Sequence, residues 1–202
     1  MKVLVTGFEP FGGDDENPSY EAVKLLPEHI CGAEIVKAEL PTAFKRAETA
    51  LRERIEAHRP DIVICTGVAG GSSGTRLERV AINLRDARIE DNDGEMPADE
   101  QIVPGGPAAY FTRLPTRKIL SALTENGIPA ALSYSAGTYV CNDVMYTLLH
   151  LAETEYHGVR GGFIHVPYSP AVAAKKQPLP PSLAVETAAR ALKLAISVTV
   201  AE

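Results

Sequence analysis

The feature that most constrains the fold is a repeated pattern in which a short β-branched run ends in glycine and an amphipathic helix follows. KVLVTGF (residues 2–8) and DIVICTG (61–67) are continuously apolar rather than alternating. Such runs suit parallel strands that are covered on both faces and break into loops at their carboxyl ends. Between them the spacing predicts a helix after Asn17-Pro18, a strand AEIVKAEL (33–40) and a helix near 43–58. In that helix Phe44, Ala47, Leu51 and Ile55 recur at three and four residues, which puts them on one face.

The second half repeats the alternation, with a helix near 116–126, a strand PAALSYS (129–135), a helix opening at Cys141, a strand GFIHV (162–166) and a last helix from about 182. LERVAINL, starting at Leu77, reads as one further strand. The pattern predicts a single α/β domain over residues 1–202, with three layers and a twisted, mostly parallel sheet between helices. A length of 202 residues and 45% hydrophobic content are enough for one such core. In sheets of this kind sites gather beyond the carboxyl ends of the strands. Leu192, Leu194, Ala195, Ile196, Val198 and Val200 crowd the end of the last helix, which fits an interface and a covered core equally well.

Within this frame the segment SAGTYVCNDVMYTLLHL places Cys141 where an amphipathic helix opens. A thiol there meets unpaired backbone N–H groups and the positive end of the helix dipole, both of which favour the thiolate. A base is available in GGFIHVPYSP, where His165 ends a short apolar strand before a proline-containing turn. The pair suggests Cys/His catalysis. Free cysteine is also a common small core residue, and the sequence does not by itself set Cys141 beside His165.

Composition excludes several classes. The net charge is −6 with both signs interspersed, which argues against a nucleic-acid partner, since a phosphate backbone asks for a basic stripe. The apolar run before Gly7 is too short for the core of a signal peptide, and no stretch approaches a membrane span, so neither export nor a membrane partner is expected. Cys31, Cys65 and Cys141 form an odd set without a C-x-x-C pair, so no disulfide framework and no zinc site are indicated. Cytoplasmic residence is the expectation. Asn17-Pro18-Ser19 is no glycosylation sequon, because proline occupies its middle position.

Two loops could suggest cofactors. Gly67, Gly70, Gly71 and Gly74 do not make G-x-G-x-x-G, and a strand rather than a helix follows them, so no dinucleotide is expected. In the weakly periodic, acidic stretch 85–112, DNDG resembles part of a calcium loop, but Ile89 stands where its first carboxylate belongs. A solvated acidic loop is the favoured reading there.

TGFEPFGG with NPS, LERVAIN followed by DARI-x-DN, SAGTYVCN and GGFIHVPY together resemble the pyroglutamyl peptidase I family, in order, over residues 5–168. The resemblance implies a cytosolic cysteine peptidase that removes N-terminal pyroglutamate from peptides without metal or cofactor, on one α/β domain usually assembled as a homotetramer. It implies Cys141 as nucleophile, His165 as base and Glu78 as the acidic third member; read alone, a Glu beside Arg79 is more often a surface pair. It further implies that Phe8, Phe11 and Ile89 wall the lactam pocket, and that Arg88 lies near the developing charge. Asn17 belongs to the same family block, although Asn before Pro is equally a helix N-cap. The remaining histidines fit other roles: His58 and His157 at helix ends, His150 inside the Cys141 helix and His29 in a loop.

Two departures from the family pattern stand out, Val68 where many relatives carry Gln and Glu90 where many carry Pro. Two readings from other classes remain open at this point: a binding module for small cyclic amides without turnover, and a nucleoside phosphorylase-like transferase, for which no phosphate-binding set is evident.

Overall fold

The two apolar runs are buried almost end to end, with Val3, Leu4, Val5 and all of Ile62 to Cys65 inaccessible to solvent. The computed structural model describes residues 1–202 and turns both runs into inner strands of one sheet. In chain order the elements are β1 (Lys2–Phe8), α1 (Pro18–Lys24), β2 (His29–Ile30), β3 (Ala33–Leu40), α2 (Phe44–His58), β4 (Ile62–Val68), β5 (Thr75–Glu78), β6 (Val80–Ile82), β7 (Ala109–Phe111), α3 (Thr116–Glu125), β8 (Ala130–Ser133), α4 (Val140–Thr154), β9 (Arg160–Val166), α5 (Pro170–Ala173) and α6 (Val185–Val200).

Seven strands form a mixed sheet in the order β2-β3-β1-β4-β9-β5-β8. The pairs β1–β3, β1–β4, β4–β9 and β5–β8 are parallel, whereas β2–β3 and β5–β9 are antiparallel. Successive strand side chains point to opposite faces, so each buried run feeds two cores. Val3, Val5, Ile62, Ile64, Leu77 and Ile164 pack under α1, α3 and α6. Leu4, Phe8, Val63, Cys65 and Phe163 pack under α2 and α4. The expected three-layer α/β arrangement is therefore present, and α6 buries its Leu192, Ala195 and Ile196 in the first core.

The same alternation decides which residues can meet at a site. Leu77 and Ile164 belong to the α1/α3/α6 face, so their neighbours Glu78 and His165 project toward α4. Because β1 has β3 on one side and β4 on the other, the chain reverses its direction of sheet growth there. The loops leaving β1 and β4 diverge at such a point and open a crevice beyond the strand ends.

Four local readings are corrected. LERVAINL is not one strand: it divides at Arg79 into the end of β5 and β6, and β6 leaves the main sheet to pair antiparallel with β7. The stretch 85–112 is organised rather than merely solvated. Asp91 is buried; its Oδ2 accepts from the Phe44 N–H at the start of α2 (2.9 Å), and its Oδ1 accepts from the N–H groups of Asp93 and Glu95 (2.9 Å each). His29 lies in the edge strand β2 rather than in a loop, and α6 starts at Val185 rather than near 182.

Candidate active site

Cys141 occupies the second position of α4, whose N-cap Tyr139 is extended and makes no side-chain capping bond. The N–H groups of Val140, Cys141 and Asn142 therefore lack both intrahelical and side-chain partners, and the first intrahelical bond runs from the Asp143 N–H to the Tyr139 carbonyl at 3.1 Å. The first turn is fixed from its far side. Asn142 donates to the carbonyls of Ile82 (2.9 Å) and Leu84 (3.0 Å) and accepts from the Ile82 N–H (3.0 Å), which ties α4 to β6. Asp143, fully buried, accepts from Arg85 Nε at 2.7 Å, and Arg85 in turn pairs with Glu48 on α2.

β4 makes room for the thiol. A Cβ built on Gly67 would stand 2.8 Å from Cys141 Sγ and 2.9 Å from Phe163 Cζ, so only glycine lets the helix approach the strand this closely. His165 follows Phe163 on β9 with the same facing, its ring 4.7 Å from the Phe163 ring centre. Its Nδ1 lies 2.8 Å from Glu78 Oε1, and both side chains are almost fully buried. With Nδ1–H assigned to Glu78 by this contact, Nε2 is left free for the Cys141 thiol, whose sulfur is near enough to act on the ring. Burial alone would drive the ring toward neutrality, but the Cys141 sulfur and the Glu78 carboxylate outweigh it and raise its pKa to about 9. Glu78 Oε2 is buried without a hydrogen-bond partner, so the ring is the only hydrogen-bond partner of this carboxylate.

A cavity of about 260 Å³ opens on the sulfur. One part is apolar, formed by Phe8, Phe11, Ile89, Tyr139 and Val140, and the Phe11 and Tyr139 rings sit 5.6 Å apart. Another part is charged, with Asp14, Glu16 and Lys176 beside Tyr168. The cavity is bounded by segments that follow β1, β4 and β9, at the expected carboxyl ends.

A single line of contact from Cys141 through His165 to Glu78, beside an aromatic cavity, belongs to thiol hydrolases. The family model described as pyroglutamyl peptidase matches residues 1–202. The chain belongs to that family. It is 50% identical over 200 residues to the pyrrolidone-carboxylate peptidase of Clostridium perfringens, covering 99% of this chain and 93% of that protein. It is 51% identical over 203 residues to the enzyme of the same name from Bacillus subtilis, covering 100% and 93%. The crystal structure of Bacillus amyloliquefaciens pyroglutamyl peptidase I superposes with a TM-score of 0.95 at 47% identity, covering 100% of this chain and 97% of the other. A mutant pyrrolidone carboxyl peptidase from Pyrococcus furiosus gives 0.96 at 46% identity, covering 100% and 99%. As a member of the pyroglutamyl peptidase family the chain is a hydrolase.

The structure brings Glu78, Cys141 and His165 together, and sets Phe8, Phe11, Ile89 and Asn17 around the cavity. Asn17 is heavily committed elsewhere. It caps α1 by accepting from Ser19 N–H (3.1 Å) and Ser19 Oγ (2.8 Å), and donates to the Glu9 carbonyl (2.9 Å). Arg88 is exposed and is not among the lining residues. Val68 does line the cavity, whereas Glu90 enters only through its carbonyl, which accepts from the Tyr139 hydroxyl at 3.0 Å.

Sequence reasoning passed over Tyr139, Val140 and Thr42, and read Gly67 only as a strand end and part of a glycine pattern. Tyr139 and Val140 directly precede the candidate nucleophile, and Gly67 ends an apolar strand where a helix must approach, so local signals for these three existed. Thr42 gave none. Its hydroxyl bonds the Glu9 carbonyl (3.1 Å) across a contact 33 residues apart.

Proposed function

We propose that this chain removes the pyroglutamyl residue from the N-terminus of peptides, with Cys141, His165 and Glu78 as its catalytic groups. The observation that carries the reading is the buried relay from Glu78 through His165 to a thiol that opens onto an aromatic cavity.

His165 Nε2 takes the Cys141 proton, and the sulfur attacks the pyroglutamyl carbonyl carbon. The tetrahedral oxyanion meets the uncapped N–H groups of the α4 first turn, which are already in place before charge develops. The imidazolium then protonates the departing amine nitrogen as the C–N bond breaks, leaving a thioester on Cys141. Neutral His165 next draws a proton from water, whose oxygen attacks the thioester. Collapse expels the thiolate and frees pyroglutamic acid. Glu78 holds the ring by Nδ1 and favours each imidazolium stage.

Phe8, Phe11 and Ile89, with Tyr139 and Val140, take the faces of the flat neutral lactam, and Asn17 stands at the same cavity as a polar edge. Arg88 contributes at longer range as a positive charge near the loop that carries Ile89. Residues 1–202 work as one domain. The chain acts in the cytoplasm as a homotetramer; the family resemblance supports the assembly, and three unpaired thiols support the compartment. No helix is long and apolar enough to cross a membrane.

Release of chromophore from a pyroglutamyl amide tests the reading, with a ribonucleoside plus phosphate as the rival substrate and a prolyl amide as the control. A site that hydrogen-bonds the lactam carbonyl rejects the prolyl amide by roughly 10⁴-fold. Binding of the pyroglutamyl amide without turnover, phosphorolysis of the nucleoside, or equal turnover of the two amides would overturn it.

A further inference from the structure

An N-terminal pyroglutamyl group has no residue before it, so a cavity that accepts it has only two tasks: to hold the lactam and to receive the chain beyond the scissile bond. The aromatic part suits a neutral ring. The charged part does not, since Asp14, Glu16 and Lys176 are poorly matched to a flat, uncharged lactam.

The charged wall is built from two distant segments. Ser169 Oγ donates to Glu16 Oε1 at 2.6 Å, Lys175 Nζ to Asp15 Oδ2 at 2.5 Å, and Lys176 Nζ to Asp14 Oδ2 at 3.0 Å and Oδ1 at 3.2 Å. Three consecutive carboxylates thus meet three partners more than 150 residues away. Lys176 also lies 5.0 Å from the centre of the Tyr168 ring. Its charge is held between a carboxylate and an aromatic face, and the Asp14 charge is neutralised with it. Glu16 has only a hydroxyl partner. Lys175, bonded to Asp15, also acts on Glu16, but three carboxylates face two lysines, so the wall carries one excess negative charge, with Glu16 the carboxylate that has no lysine bonded to it.

Resting on the peptidase reading above, we infer that Asp14, Glu16, Lys176 and Tyr168 form the subsite for the residue following pyroglutamate, and that Glu16 makes it select against acidic side chains there. Lys176 sets how strongly, because it masks the Asp14 carboxylate. Pyroglutamyl peptides with a neutral or basic second residue are the favoured class.

The test compares kcat/KM for three C-terminally amidated dipeptides, pyroglutamyl-alanine, pyroglutamyl-lysine and pyroglutamyl-glutamate, with a neutral chromogenic pyroglutamyl amide as reference. At low salt the alanine substrate exceeds the glutamate substrate by about fivefold, and 0.5 M NaCl reduces that ratio. Glu16→Gln brings the ratio close to one. Lys176→Gln increases it by about fivefold, and Lys176→Arg restores the wild-type value. If both variants move all substrates by the same factor, or the ratio ignores Glu16→Gln and salt alike, the subsite is overturned. Should Lys176→Gln fail to fold, the salt dependence and Glu16→Gln still decide. If the wild-type protein leaves the neutral reference amide intact, the peptidase reading has failed rather than the subsite.

Discussion

Glu78 and His165 are diagonal neighbours across the antiparallel β5–β9 pair, with Oε1 and Nδ1 2.8 Å apart in a site nearly closed to water. Their meeting is a consequence of register. Arg76 faces His165 and Leu77 faces Ile164. Two residues after Arg76 the same face returns, bringing Glu78 to the ring, and a one-residue slip would send it into the opposite core.

This contact predicts that Glu78→Gln lowers kcat by roughly 10²- to 10⁴-fold with KM little changed, because the amide loses the charge that favours imidazolium and can present either end to Nδ1. Steady-state kinetics on a pyroglutamyl amide measure both constants. An unchanged kcat would remove Glu78 from the relay.

The three thiols should separate by reactivity. Burial pushes the Cys65 thiol up to about 12 and denies it access, so it should not label in the folded protein. Cys31 is exposed and no base is bonded to it, whereas Cys141 has the His165 ring close enough for each to act on the other. Brief iodoacetamide treatment near neutral pH followed by peptide mapping should find Cys141 modified first, with activity loss tracking that site and a pyroglutamyl analogue protecting it. Inactivation that follows Cys31 or Cys65 would refute the nucleophile assignment.

Gly67→Ala places a methyl group where Cys141 Sγ and the Phe163 ring now sit. The inner strand cannot move away, so the sulfur must. A displacement of about 1 Å at a reacting atom costs on the order of 10²-fold in rate, and overpacking costs about 1–3 kcal/mol of stability. Retention of kcat/KM within threefold would show that the glycine is not needed for the approach.

The His165 ring depends on the sulfur for much of its raised pKa. In Cys141→Ala burial continues to disfavour the imidazolium while the sulfur's contribution disappears, so the pKa should fall from about 9. The stability consequence has a definite sign. A ring raised from its ordinary value of 6.5 to about 9 stabilises the fold fully below pH 6.5, and that contribution is lost as pH rises through 9. Titration of the ring protons by NMR in both proteins, beside denaturant melts at pH 6 and 10, checks both statements. An unmoved ring pKa would contradict them.

Much of this was legible because burial and register act through short-range patterns. Continuous apolar runs announced the inner strands, and three- and four-residue spacing announced α2. The helix-opening Cys141 and strand-ending His165 carried their chemistry on their faces, while Glu78 was reachable only through resemblance, since its partner lies 87 residues away. The division of LERVAINL left a mark that was passed over. Glu78 and Arg79 are consecutive polar residues, so the apolar positions change phase from Leu77 to Val80, Ile82 and Leu84, and the strand breaks there as Glu78 ends at His165 and β6 turns to β7. The acidic loop misled for a different reason. A carboxylate such as Asp91 that bonds three backbone N–H groups has the same composition as one facing water.

Asp143, two residues beyond the nucleophile, is the clearest case of a group strained by its position. It is fully buried in the first turn of α4, and burial raises its pKa to about 7 even though Arg85 opposes the shift through charge and a hydrogen bond. Its Oδ2 has no partner. A carboxyl whose folded pKa is raised above its ordinary value of 3.8 binds its proton more tightly in the fold than in the unfolded chain. Its favourable contribution is fully present below pH 3.8 and is lost as pH rises through 7, so the wild-type protein pays a charge-burial penalty above neutrality. Asp143→Asn keeps an oxygen for Arg85 Nε and removes that penalty, while Arg85 retains Glu48. The variant should gain stability on the order of 1–3 kcal/mol at pH 8.5 and much less at pH 5. Thermal melts at the two pH values decide the matter: an equal shift at both, or destabilisation at pH 8.5, would mean that Arg85 already compensates the buried charge in full.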